Sequence, residues 1–178
     1  MNYINIVIII IFLIYIYRGY TDGGVRIFTG FLGLIVAYAI SVKYYTLGGY
    51  ILEDILKIPL GFNKFIFIVV TFIIIAVAFE ILSNIAYKRI PKEFRSSPLN
   101  RYLGVILSFI EALILLSFII FIIENINFFP GQGSLQSAIR QSSIGSYIIK
   151  ENNKILSPIV GNAIQKIQTK KSIIIPSK

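Results

Sequence analysis

The sequence predicts an all-α polytopic membrane protein: four transmembrane helices followed by a tail of amphipathic helices. Three observations lead there. Hydrophobic residues make up 56% of the 178 and the mean hydropathy is +0.81, above what water-soluble domains carry. The apolar residues fall in four long blocks, so no helix keeps the water-facing stripe of a soluble bundle. Glycine, proline and basic residues occupy the connections, as they do at the ends of membrane spans.

The first span is 3–17, rich in isoleucine and uncharged, about 22 Å of helix. It lacks the basic start and small-residue cleavage site of a signal peptide, so it reads as a retained helix. A glycine-bearing turn over 18–26 leads into the second span, 27–42. There Gly33, Ala37 and Ser41 recur every fourth residue and put small side chains on one face, which lets another backbone come close. The longest internal loop, 43–64, holds Gly48, Gly49, Glu53 and Asp54. Its Leu52, Ile55, Leu56 and Ile58 predict a short interfacial helix.

The third span, 65–87, carries Glu80 and Asn84 on the face of Ala76. A basic linker follows, and Ser97-Pro98 supplies an N-cap and a favoured first helical residue for the fourth span, 99–123. Gly104, Ser108 and Ala112 repeat the four-residue spacing, and Glu111 lies about 18 Å of rise into this span, near the midplane. After Glu124 the composition turns polar, and Pro130-Gly131 marks the division between a transmembrane domain, 1–125, and a tail, 126–178. Ser157-Pro158 opens an amphipathic stretch with Ile159, Val160, Ala163, Ile164 and Ile167 at helical spacing.

Charge sets the expected orientation. Arg18, Arg26, Lys88, Arg89, Lys92, Arg95 and Arg101 fall on one side of the membrane. The other has Lys43, Lys57, Lys64 and Arg140, offset by Glu53 and Asp54. The richer side is cytoplasmic, so both termini lie outside the cytoplasm and the tail is extracytoplasmic. The same flanking residues explain a net charge of +9 without nucleic acid, for which no basic-aromatic platform exists outside the spans.

The chain has no cysteine and no histidine, which removes thiol nucleophiles, His-dependent triads and the usual metal ligands. No cofactor fingerprint is present, and a non-enzymatic protein is expected. The informative polar residues are Glu80, Asn84 and Glu111, because a charged side chain in hydrocarbon costs roughly 2.5–3.5 kcal/mol on insertion scales and needs a partner or neutralisation. Glu80 is placed to meet Arg101 or Asn84, with Glu111 deeper. Three readings stay open for the acids: interhelical groups that fix registry, an ion or proton pathway, and a catalytic pair, which lacks a nucleophile or metal.

The stretch YRGYTDGGVRIFTGFLGLIVAYAISVKYY resembles the start of the colicin V production protein (CvpA) family, with an Arg-Gly-aromatic turn before a glycine-containing second span. LNRYLGVILSFIEALILLSFIIFII is similar to the family's last span, and Ser143-Ile144 to a serine-containing segment of its tail. The matching positions are Arg18, Gly19, Gly33, Asn100, Arg101 and Gly104. Members often carry an aspartate near the start of the first span, where this chain has Asn5. The resemblance implies a multi-pass protein of the bacterial inner membrane, tied to production or export of a peptide toxin and to envelope maintenance. Its expected partners are membrane lipid, envelope or secretion proteins and further copies of itself, associating through the small-residue faces of the second and fourth spans. A small oligomeric channel or transporter with an intramembrane carboxylate pathway is the alternative.

Overall fold

A backbone in hydrocarbon has no water to bond, so apolar blocks of this length must close their hydrogen bonds within helices, whatever the low helix propensity of isoleucine. The computed structural model describes residues 3–155 except 58, 90, 92, 94–96, 129 and 130. The elements are α1 (Tyr3–Asp22), α2 (Gly24–Leu56), α3 (Leu60–Lys88), α4 (Pro98–Asn125) and α5 (Gln132–Gln141), then α6 over residues 143–155. No strand occurs among the described residues. Helices α1 to α4 are each long and apolar enough to cross a membrane.

Two boundaries differ from the sequence expectation. Arg18 and Gly19, read as turn residues, lie inside α1, and the reversal narrows to Gly23, whose φ of 79° favours glycine. The loop expected over 43–64 is mostly helix: α2 runs through Gly48 and Gly49 to Leu56, ends on a left-handed Lys57, and α3 begins after Pro59. The two glycines are packing residues. A Cβ on Gly48 would strike the Phe67 ring, and one on Gly49 would meet Lys64. Close approach to α3 therefore outweighs the low helix propensity of glycine. At α4 the expected cap is present: the Ser97 hydroxyl accepts the Asn100 N–H at 3.2 Å, with Pro98 first in the helix.

Side by side the helices run α1, α4, α2, α3, with α1 meeting α2 only slightly. The main core lies among α2, α3 and α4, where Phe72 stacks on Phe118 with ring centres 3.9 Å apart and Ala37, Tyr45, Ile68 and Phe121 pack around them. Most other large apolar side chains of the four long helices point outward, as lipid-facing surfaces do.

The tail is part of this packing. Ile139 of α5 and Ile148 of α6 form a second core with Ile8 of α1 and with Leu116 and Ile120 of α4. Gln132 donates to the carbonyls of Ile123 and Ile126, both at 2.6 Å, and Gln136 donates to Ile123 O at 2.8 Å. Carbonyls at the end of α4 thus gain partners that the helix itself cannot supply. Arg140 forks onto Glu124, with its nearest contact at 2.6 Å, and this partner pushes the Arg140 pKa up.

On α1, Asn5 accepts from the Ser142 hydroxyl at 2.5 Å and from the Ile144 N–H at 3.5 Å, beside the first turn of α6. Asn152 donates to Ser117 O at 2.9 Å, and its carbonyl oxygen accepts from the hydroxyls of Ser117 and Tyr38. The N-terminal end of α1 and the tail therefore sit at the same end of the molecule. The amphipathic stretch expected after Ser157-Pro158 lies outside the described residues. Asn152→Leu is expected to free α6, seen as faster hydrogen exchange over 143–155, while α5, held by Gln132 and Arg140, keeps its protection.

Candidate functional site

The charged side chains Arg18, Asp22, Arg26, Glu80 and Glu111 gather toward the end of the bundle near the Gly23 turn. Two helix seams put them there. Gly19 of α1 lies against Gly104 of α4, where a Cβ on either glycine would collide with the other's carbonyl oxygen. Ser108 is the next buried position on the α4 stripe and sits beside Gly19, and Ala112 is buried one turn further on. On α2, Gly33 receives the Phe79 side chain of α3, and Ala37 and Ser41 are fully buried. The two small-residue stripes therefore serve different neighbours: that of α4 seats α1, and Gly33 seats α3.

Asn100 is 1% exposed and its side-chain oxygen accepts the Val25 N–H at 3.0 Å, satisfying a donor in the first turn of α2. Ser83 of α3 donates to Arg26 O at 2.8 Å on the opposite flank. With both sides of the turn fixed in this way, Arg18 and Arg26 face inward.

Arg18 stands between Glu111 of α4, at 3.6 Å, and Glu80 of α3, at 3.7 Å. It also lies 3.5 Å from Asp22. Arg26 donates to Asp22 at 2.9 Å and approaches Glu80 to 3.7 Å. Only the 2.9 Å contact has the length of a charge-assisted hydrogen bond; the others are ion pairs without one. Five charged side chains from all four long helices thus form one connected cluster.

Burial within it is uneven. Glu111 is 3% exposed, whereas the side chains of Arg18 and Glu80 are 36% and 38% exposed. Glu111 Oε2 and Arg26 Nε are buried without a hydrogen-bond partner. Both carboxylates and Arg18 open onto a cleft of about 250 Å³, with Tyr15 on one wall and Gly30 beneath. A Cβ on Gly30 would lie 3.5 Å from Glu111 Oε1 and 3.6 Å from Glu80 Oε2, an ordinary contact, so a methyl there would fill the place between the acids without a clash.

The remaining sequence-derived candidates fall elsewhere. Asn84, one turn beyond Glu80, is half-buried. Arg101, expected to meet Glu80, lies over the Tyr20 ring at 5.5 Å; Glu80 is met by Arg18 and Arg26 instead. Asp22 and Arg26 were missed as members of the cluster. The available signal was their spacing: Arg18, Asp22 and Arg26 are four residues apart, which is one helical face if the turn is nearly helical.

A family model described as Colicin V production protein matches residues 4–153. The match extends from the start of α1 into the last turns of α6, so it includes the cluster, both seams and the tail helices. Comparisons with curated proteins and with solved structures gave no match.

Proposed function

The chain belongs to the colicin V production protein family, and from that premise we propose that it acts as a non-enzymatic accessory or scaffold protein of the bacterial inner membrane, serving production or export of a colicin V-type peptide toxin and, more broadly, envelope homeostasis. The observation that carries this reading is the closure of the bundle. Backbone meets backbone at Gly19 and Gly104, and the two intramembrane carboxylates of α3 and α4 face arginines. These are features of a fixed platform, with the acids setting registry between helices.

The orientation proposed with it places the Gly23 turn and the basic linker before α4 in the cytoplasm, and both ends of the chain outside. The α5–α6 tail and the α2–α3 hairpin then face the envelope and are the surfaces offered to secretion partners. The cleft beside Glu111 supports the second reading, a small oligomeric channel or transporter.

One experiment separates the two. Cells lacking the protein but carrying a colicin V-type system are complemented with wild type, Glu80→Gln or Glu111→Gln, and secreted toxin is measured beside proton and cation flux in proteoliposomes. The scaffold reading expects restored secretion by wild type and no flux above empty liposomes. Flux that disappears in a folded Glu111→Gln protein would replace it with the channel reading.

A further inference from the structure

The charged cluster is not balanced. It sets two guanidiniums, Arg18 and Arg26, against three carboxylates, Asp22, Glu80 and Glu111, so when fully ionised it carries one negative charge in excess. Glu111 Oε2 has no donor although it is buried, and Glu111 lines the cleft. A cluster with one carboxylate in excess at low dielectric attracts a cationic donor. No three acidic side chains converge on a metal-binding set among the described residues, which favours an organic cation over a metal ion.

The route in is lateral. Arg18 and Glu80, each about one-third exposed, line the cleft with Tyr15 of α1 and with Ala76 and Val77 of α3, and next to these Ile14 on α1 and Val77 and Ile81 on α3 are exposed apolar side chains. Towards the other end of the same two helices, Ile10 of α1 and Ile73 and Ile74 of α3 continue the exposed apolar surface. An occupant arriving from the bilayer would carry a charged head and hydrocarbon chains. Its head would meet both signs of charge, because Arg18 lies between the two acids.

We propose that the cleft between α1 and α3 binds the headgroup of an aminophospholipid, with the primary ammonium held between Glu111 and Glu80, the phosphate on Arg18, and the acyl chains along the exposed faces of α1 and α3. A primary ammonium brings three donors, enough for Glu80 and for Glu111 Oε1, the oxygen that faces Gly30 and Arg18. Ion pairs at 3.6 and 3.7 Å leave Arg18 short of full hydrogen bonding to either acid, so its N–H groups remain available to phosphate oxygens. The volume of about 250 Å³ is several times the ~30 Å³ share of a liquid water and accommodates a headgroup. The proposal requires the membrane-spanning bundle and is independent of the export role.

The test uses the full chain purified in detergent, titrated with short-chain phosphatidylethanolamine, phosphatidylcholine of the same chains, and free phosphoethanolamine, with thermal unfolding followed by circular dichroism. The ethanolamine lipid is expected to raise the melting temperature saturably. The choline lipid, whose ammonium has no N–H, should have little effect. Glu111→Gln should weaken ethanolamine-lipid binding roughly tenfold, the worth of one hydrogen bond to a charged group. Gly30→Ala tests the same space with little risk to folding, since its methyl stands at van der Waals distance from both acids; it should cause a similar loss. Equal stabilisation by the two lipids, or an ethanolamine preference undiminished in Gly30→Ala, would overturn the proposal. Saturable binding of free phosphoethanolamine with no gain from acyl chains would overturn the lipid as its source.

Discussion

Gly104→Leu is expected to abolish the folded bundle. The new side chain would enter where the Gly19 carbonyl lies, with the Gly23 Cα only 2.9 Å from its Cβ. Overpacking a core costs typically 1–3 kcal/mol when side chains can shift; here the obstruction is backbone on a neighbouring helix, so the cost lies at or above the top of that range. The seam cannot open locally, because the Asn100–Val25 bond and the Arg18–Glu111 pair span the same region. The measurement is protease resistance and steady-state level in membranes. Gly133→Leu is the matched control: nothing stands within 4 Å of a Cβ at that site, so it should behave as wild type. Normal protease resistance for Gly104→Leu would refute the seam.

Arg18→Gln is expected to be nearly as damaging for an electrostatic reason. It removes the guanidinium shared by Glu80 and Glu111 and leaves the second of these buried beside no cation. Stripping one partner from a buried ion pair costs roughly 3–5 kcal/mol, and the one-third exposure of Arg18 and Glu80 brings the figure toward the lower end. Adding Glu111→Gln to Arg18→Gln should recover much of the loss, since two neutral amides replace a lone buried charge. Arg18→Lys should recover only part, because a single ammonium does not present a planar fork to carboxylates on two helices. Thermal unfolding of the four proteins checks this; a double variant no more stable than Arg18→Gln would remove Glu111 from the account.

The four spans were legible because hydrocarbon imposes one rule on every backbone group, and long apolar blocks satisfy it in one way. The Ser97-Pro98 start of α4 was legible for a similarly local reason. The partners of the acids were not. Periodicity placed Glu80 and Glu111 within spans, but Arg18 and Arg26 were read as flanking charges and used to set orientation. Their inward course depends on α1 continuing to Asp22, on a reversal of one residue, and on the Gly19–Gly104 approach, all tertiary facts. Gly48-Gly49 was misread because glycine breaks helices in water yet permits close packing in lipid. The docking of the tail through Asn5 and Ser142 joins positions 137 apart in sequence, beyond the reach of any local pattern.

The arrangement of α1 against α4, with α2 beyond, also sets an order of events at the ribosome. The first helix enters the bilayer with almost nothing to pack on, since its neighbour in sequence is not its neighbour in space. Gly104 follows Gly19 by about eighty-five residues, a wait of roughly 4–17 s at ordinary elongation rates. During that interval Arg18 has no acid from another helix and sits where its long side chain still reaches the headgroups. Only when α3 and α4 arrive can it meet Glu80 and Glu111, so in the completed protein a charge that first faced the headgroups ties together helices made more than sixty residues apart.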